Sequence, residues 1–200
     1  MIIVDDILQG SPEWFSLKCG TPGASSFNKI VTTKGEPSKQ AVDYQYQLTA
    51  EAITGRVEQG YQSAAMTMGI ERESESRALY ELIYGIDARQ VGFIFHDSKM
   101  YGCSPDALCE TWGLEMKNVL PKTQVKYLLD DKLPADYFQQ VQGSMLVTGF
   151  ERWDFMSYSP GLDPLIIRCE PDLMFQEKLK EQLEVFCFEL VKLIKKLKGG

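Results

Sequence analysis

Apolar residues recur along this chain in two rhythms, and each rhythm predicts a kind of element. Between Ser38, a residue type that caps helices, and Gly55, one that stops them, Tyr44, Leu48 and Ala52 fall on one helical face. A second helix is predicted over roughly 68–84, with Ala78, Leu79, Leu82 and Ile83 as its apolar stripe and Gly85 as its stop. The texture then becomes short and β-like. Val91–Phe95, Met100–Cys103 and Gly113–Lys117 read as strands, the last bounded by Gly113 and Pro121. Helical spacing returns over 135–148, with Phe138, Val141, Met145 and Leu146 inward. Arg152–Tyr158 and Leu165–Cys169 read as two more strands, joined by the turn chemistry of Ser-Pro-Gly-Leu-Asp-Pro. From about Asp172 to Lys198, apolar positions 179, 183, 186, 190, 193/194 and 197 trace a long amphipathic helix. Helices, a run of strands, a helix, a strand pair and a long helix predict an α/β (α+β) chain built on a central sheet. No internal repeat, low-complexity tract or linker divides it, so one domain over 1–200 is expected, with the loop Thr32–Ser38 as its most mobile segment.

Composition narrows the class. With 200 residues, 44% hydrophobic and 24% charged, the chain can bury a core without metals or disulfides. A formal net charge of −7 argues against coating nucleic acid by bulk charge but leaves room for a local basic groove. The five cysteines (19, 103, 109, 169 and 187) form no CxxC pair, and His96 is the lone histidine. A zinc site is therefore not expected, and reduced core thiols are. The start, MIIVDDILQG, has no basic segment and does not read as a signal peptide, and no apolar run is long enough for a membrane span.

Chemistry concentrates in one stretch, Gly102-Cys103-Ser104-Pro105-Asp106-Ala107-Leu108 followed by Gly113-Leu114-Glu115-Met116-Lys117. Glu115 and Lys117 are two apart on a strand and share a face, while Leu114 and Met116 turn into the core. A hairpin would bring Asp106 beside Glu115. Two carboxylates at one point repel, and a divalent cation with hard oxygen ligands, Mg²⁺ or Mn²⁺, relieves that. The carbonyl of Met116 could complete the cage. Lys117, adjacent to it, is placed to orient a water or to stabilise charge on a phosphate, which suits metal-assisted phosphodiester hydrolysis. Taken alone, Glu-x-Lys on a strand reads as a surface charge pair; with Pro105-Asp106 nine residues before it, the two readings stand level.

Pro105-Asp106…Glu115-x-Lys117 resembles the PD-(D/E)xK nuclease motif. The wider pattern resembles the lambda-exonuclease and YqaJ-type viral recombinase family along nearly the whole chain. It includes Glu13-Trp14-x-x-x-Lys18 with Ala24-Ser25, Gly69-x-x-x-Glu73, Cys103 to Leu108, Gly113 to Lys117, and Gln140-Val141-Gln142-x-Ser144-Met145. The resemblance implies a restriction-endonuclease-like core with a mixed sheet flanked by helices. It implies a Mg²⁺-dependent exonuclease, with Mn²⁺ able to substitute, that digests one strand of linear duplex DNA from the 5′ end and leaves a 3′ overhang for recombination by strand annealing. A homotrimer around the duplex, a phage single-strand annealing protein as partner, and the cytoplasm of a bacterial host follow from the same resemblance. Residue by residue, it makes Asp106 and Glu115 metal ligands with the Met116 carbonyl, and Lys117 the catalytic lysine. Glu73 and Gln140 complete the site near the attacking water, while Lys18, Ser25 and Ser104 fall where the family binds the 5′-phosphate. Lys18 stands where the family pattern has Arg, and a lysine cannot make the bidentate phosphate fork.

Two other readings stay open at this point: a structure-specific or single-strand-specific endonuclease of the same superfamily, and a DNA-binding module without catalysis. Trp14 reads as a packing residue, His96 as a strand-end residue, and the lysines of Lys-Leu-Ile-Lys-Lys-Leu-Lys near the C-terminus as a solvated face.

Overall fold

The strands form two sheets. The computed structural model describes residues 1–57 and 72–199. Three very short strands, β1 (Ile2–Val4), β2 (Phe93–Phe95) and β3 (Gly102–Cys103), pair antiparallel in that order, with Ile3 opposite Ile94 and Ile94 opposite Cys103. The second sheet has the order β4 (Ala107–Leu108), β5 (Gly113–Asn118), β6 (Trp153–Tyr158), β7 (Leu165–Cys169). Its β5–β6 pair is parallel and its two outer pairs are antiparallel, so the sheet is mixed.

Six α-helices surround these sheets among the described residues: α1 (Pro12–Lys18), α2 (Ala41–Thr54), α3 (Glu73–Tyr84), α4 (Pro121–Asp130), α5 (Phe138–Thr148) and α6 (Leu173–Lys198). Short 3₁₀ turns cover Ala24–Lys29 and Ala135–Tyr137. Ser11 caps α1 by accepting from the Trp14 N–H, and Asp172 caps α6 by accepting from the Phe175 N–H. Within α5, Val141, Gly143, Ser144, Met145, Val147 and Thr148 are all buried. It has no clean polar face because it is enclosed all round, by the 24–29 turn, α6 and the sheets. Its buried amides are matched: Gln142 donates to the Glu170 carbonyl at 2.9 Å and accepts from the Asp172 N–H at 2.8 Å.

Alternation along β5 and β6 divides the second sheet's faces. Leu114, Met116 and Met156 pack with Tyr80 of α3, while Trp153 and Phe155 pack with Val141 and Met145 of α5. Glu115 lies opposite Phe155 in the ladder and so shares the α5 face. Helices α2 and α6 close a third cluster over Phe27, Leu48, Ile94, Leu179 and Phe186. No described helix is long and apolar enough to cross a membrane.

Several expectations need correction. Gln40, not Ser38, is the N-cap of α2; the Ser38 hydroxyl instead accepts from the Gln40 N–H within the preceding turn. The helix does end at Gly55, whose φ of 67° suits a residue without a Cβ. Of the second helix, 68–71 lie outside the described residues, as does Gly69. Its buried positions are Ser76 and Tyr80, while Leu82 and Ile83 are 80% and 48% exposed. Tyr80 wins the inward place because its hydroxyl donates to buried Asp154 at 2.6 Å. The 135–148 segment is a 3₁₀ turn followed by α5. The cysteines are all free, and four of the five are buried.

Candidate active site

A tight hairpin builds the centre of the site. Ala107 pairs with Leu114 and Leu108 with Gly113, which leaves Asp106 at the strand entrance level with Glu115. The Asp106 N–H donates to the Leu114 carbonyl at 3.1 Å, and the Asp106 carboxylate accepts from the Met116 N–H. Glu115 is 2% exposed. A single oxygen of it, Oε1, accepts from both Lys117 Nζ and Gln140 Nε2, the latter at 2.6 Å. The Lys117 ammonium also stands 5.3 Å above the Tyr137 ring.

Electrostatics follow from this crowding. Burial, then the charge of Glu115, push the Asp106 carboxyl well above the usual carboxylate range, against the pull of Lys117 and the Met116 N–H. Burial works against the Lys117 ammonium, but Glu115 and Asp106 outweigh it and hold the lysine above its ordinary value. The lysine therefore pairs with Glu115 and leaves Asp106 without an ion-pair partner among the described residues.

The other expected residues are placed less tightly. Glu73 opens α3 and accepts from Gln90 Nε2 at 3.2 Å. Its charge reaches Asp106, and it lines a cavity of about 470 Å³ with Gln9, Arg77 and Gln90. Lys18 lies in a separate neighbourhood, its Nζ 3.7 Å from the Trp14 ring centroid and 5.9 Å from that of Phe93. Phe93 in turn presses on Gly102, where a Cβ would meet its ring at 2.4 Å. Gly102 bridges to Gly23, so the chain around Ser25 and the chain around Ser104 run side by side there. Ser25 is exposed, and the Ser104 hydroxyl is buried without a hydrogen-bond partner among the described residues. The structure thus brings Asp106, Glu115, Lys117 and Gln140 into one cluster, with Glu73 at its margin; Lys18 keeps its own neighbourhood on Trp14 and Phe93, and Ser25 and Ser104 follow the two sides of the Gly23–Gly102 bridge.

Sequence reasoning missed three neighbours of these residues. Gln90 holds Glu73, and Tyr137 underlies Lys117. Glu51, 4% exposed, accepts from the Gly20 N–H at 3.2 Å and from Gln47 at 2.9 Å close to Lys18. A glutamine before a strand and a glutamate inside a helix give no signal of their own.

Among the described residues, no three His, Cys, Asp or Glu side chains gather closely enough to hold a metal ion. What does fit a hard cation is the pair Asp106 and Glu115: two enclosed oxygen donors, with the Asp106 carboxyl raised first by burial and then by the charge of Glu115.

Comparison with curated proteins gives no match. Among solved structures, the chain is similar to an alkaline exonuclease (LHK-Exo) from Laribacter hongkongensis, with TM-score 0.85 and 29% identity over 94% of this chain and 96% of that one. The same protein in complex with dAMP superposes at TM-score 0.84, with the same identity and coverage. A phage related exonuclease from Haemophilus somnus 129PT, 13% identical over 88% of this chain and 96% of its own, shares the fold at TM-score 0.66. The sequence model of the YqaJ-like viral recombinase domain matches residues 13–151, a span that runs from Glu13 through the Asp106–Glu115–Lys117 hairpin and past Gln140. The chain belongs to the YqaJ-like viral recombinase family.

Proposed function

We propose that this chain is a Mg²⁺-dependent exodeoxyribonuclease, one domain over 1–200, that digests one strand of linear duplex DNA from the 5′ end. That it is a recombination-related exonuclease rests on the family and on the likeness to LHK-Exo. The observation that carries the mechanism is the contact of Asp106, Glu115, Lys117 and Gln140 around one hairpin.

In this reading Asp106 and Glu115, with the Met116 carbonyl, hold a divalent cation, Mg²⁺ with Mn²⁺ able to substitute. When bound, that cation polarises the scissile phosphate and lowers the pKa of its water. Gln140 fixes the rotamer of Glu115 through its amide. Lys117 holds the attacking water by its ammonium and stabilises the charge that grows on the phosphate oxygens. Tyr137, beneath it, limits the lysine's wander. Glu73 steadies the water on the far side, with Gln90 holding its carboxylate. Lys18, Ser25 and Ser104 receive the 5′-phosphate; the unpartnered Ser104 hydroxyl is a donor in want of an acceptor. The product is a 3′ overhang for a phage single-strand annealing protein, made by a homotrimer in the cytoplasm of a bacterial host.

The test is digestion of a 5′-phosphorylated linear duplex, a 5′-hydroxyl linear duplex and a closed circle, each with Mg²⁺ and with chelator. Loss of one strand from linear ends in Mg²⁺ alone supports the reading. Nicking of the circle points to an endonuclease, and binding without cleavage of any substrate points to a non-catalytic module; either result overturns it.

A further inference from the structure

Lys18 is an unusual cation to offer to a phosphate. Its ammonium is stacked on the Trp14 and Phe93 rings, and Trp14 is itself fixed, its indole N–H donating to the Gly92 carbonyl at 2.8 Å. No ion pair to Lys18 occurs among the described residues. The charged or titratable groups that face it are few. From α2 comes Glu51, whose two carboxylate oxygens are already engaged by the Gly20 N–H and Gln47. On its own segment the neighbour is Cys19, whose thiol donates to the Glu51 carbonyl. β2 contributes the Phe93 ring, which carries no charge.

We propose that end selection in this enzyme is titratable: Lys18, stacked on Trp14 and Phe93 with Glu51 behind it, recognises a 5′-phosphate only as its ammonium, so the preference for phosphorylated over hydroxyl ends fades in alkaline solution while hydrolysis continues. The inference rests on the reading of Lys18 as the end-binding cation. Arg at this position keeps its charge throughout, whereas Lys can lose it. Burial lowers the lysine to about 8, with Glu51 pulling the other way. The sign follows. Below that value Lys18 is charged and attracts the terminal phosphate, which is close to a dianion above its second pKa of about 6. Above it the amine is neutral and both end types meet the same site.

The measurement is kcat/KM on phosphorylated and hydroxyl ends across about pH 7 to 10, since kcat/KM reports ionisations of the free enzyme. Their ratio cancels every pH effect common to both ends, including those of the hydrolytic site. In the parent protein the ratio should fall towards one with a midpoint of about 8. In Lys18→Arg it should stay above one and flat over the same range. In Glu51→Gln the midpoint should move down, because the acid that favours the ammonium is gone. A parent ratio that does not change with pH, or a Lys18→Arg ratio that falls with the parent's midpoint, overturns the inference and leaves the exonuclease reading intact. Hydrolysis of neither end at any pH overturns both. Should Glu51→Gln not fold, the arginine variant still decides.

Discussion

Glu115 Oε1 takes two donors, the Lys117 ammonium and the Gln140 amide, while among the described residues the Asp106 carboxylate accepts only from a backbone N–H. The two acids are therefore not equivalent before a cation arrives: one is neutralised and the other is strained electrostatically. Asp106→Asn removes the strained charge and can still accept from Met116. It should abolish hydrolysis while the metal-free protein melts no lower than the parent, and each kcal/mol of relieved repulsion should raise the melting temperature by about 2–4 °C. Scanning calorimetry with chelator present, beside a cleavage assay, checks both; retained cleavage would remove Asp106 from the mechanism. Lys117→Ala should lower kcat by about 10²–10⁴-fold, the scale of proton-transfer and charge-stabilising side chains. The half-saturating Mg²⁺ concentration should not rise, because the ammonium that competes for Glu115 is gone. A large rise in that concentration would instead make Lys117 a support for the metal cage.

At the scale of elements, α3 is pinned to the second sheet by polar contacts as much as by apolar ones. Asp154, fully buried, accepts from Arg152 Nε at 2.8 Å and from the Tyr80 hydroxyl at 2.6 Å, and Tyr158 donates to Glu75 near the start of the helix. Removing one partner of a buried charge costs more than removing a neutral donor. Asp154→Ala should destabilise by roughly 3–5 kcal/mol, because it leaves Arg152 uncompensated. Tyr80→Phe should cost about 1–2 kcal/mol. Urea unfolding of the two variants checks the order, and a larger loss in Tyr80→Phe would contradict it. This contact also explains what the sequence hid. Apolar periodicity favoured Leu82 and Ile83 for the inward stripe, and only a carboxylate on a strand seventy residues away makes Tyr80 the better choice. β1 was illegible because three residues carry too little pattern, and α4 because Pro121 reads as a strand stop as readily as a helix start. The hairpin from Asp106 to Lys117 was legible because its logic is local: period two, a turn, and acids a few residues apart. Glu51 and Gln90 depend on contacts between distant segments, which spacing alone does not encode.

For the whole molecule, the net charge of −7 sets the problem of holding a polyanion. Surface lysines such as Lys195, Lys196 and Lys198 cluster in the last turn of α6, where they complement the helix dipole, and do not offset the total. Concentrating the few useful cations around one channel is what a ring would achieve. The number three comes from the family resemblance and not from the charge: in the proposed trimer the protein should scatter light at three times the mass of one chain at micromolar concentration, and cleavage should slow as salt rises. A monomer mass under those conditions would leave the charge problem to be solved another way.

The parallel register of β5 and β6 has a consequence for how the chain acquires its shape. Antiparallel β4 and β5 meet across a few residues, so the acidic hairpin can zip as soon as it leaves the ribosome. The ladder beside it has to wait until the whole crossover from 119 to 152, with α4 and α5, has been made and brought back. β1 waits in a similar way for β2, since Ile2 pairs with Phe95. Such long-range pairings slow folding, because the entropy of closing the loop is lost before the strand contacts form. Nascent chains would thus carry the Asp106–Glu115 corner early, without its helical cover, and the site would be complete only once α5 docks and delivers Gln140 to Glu115.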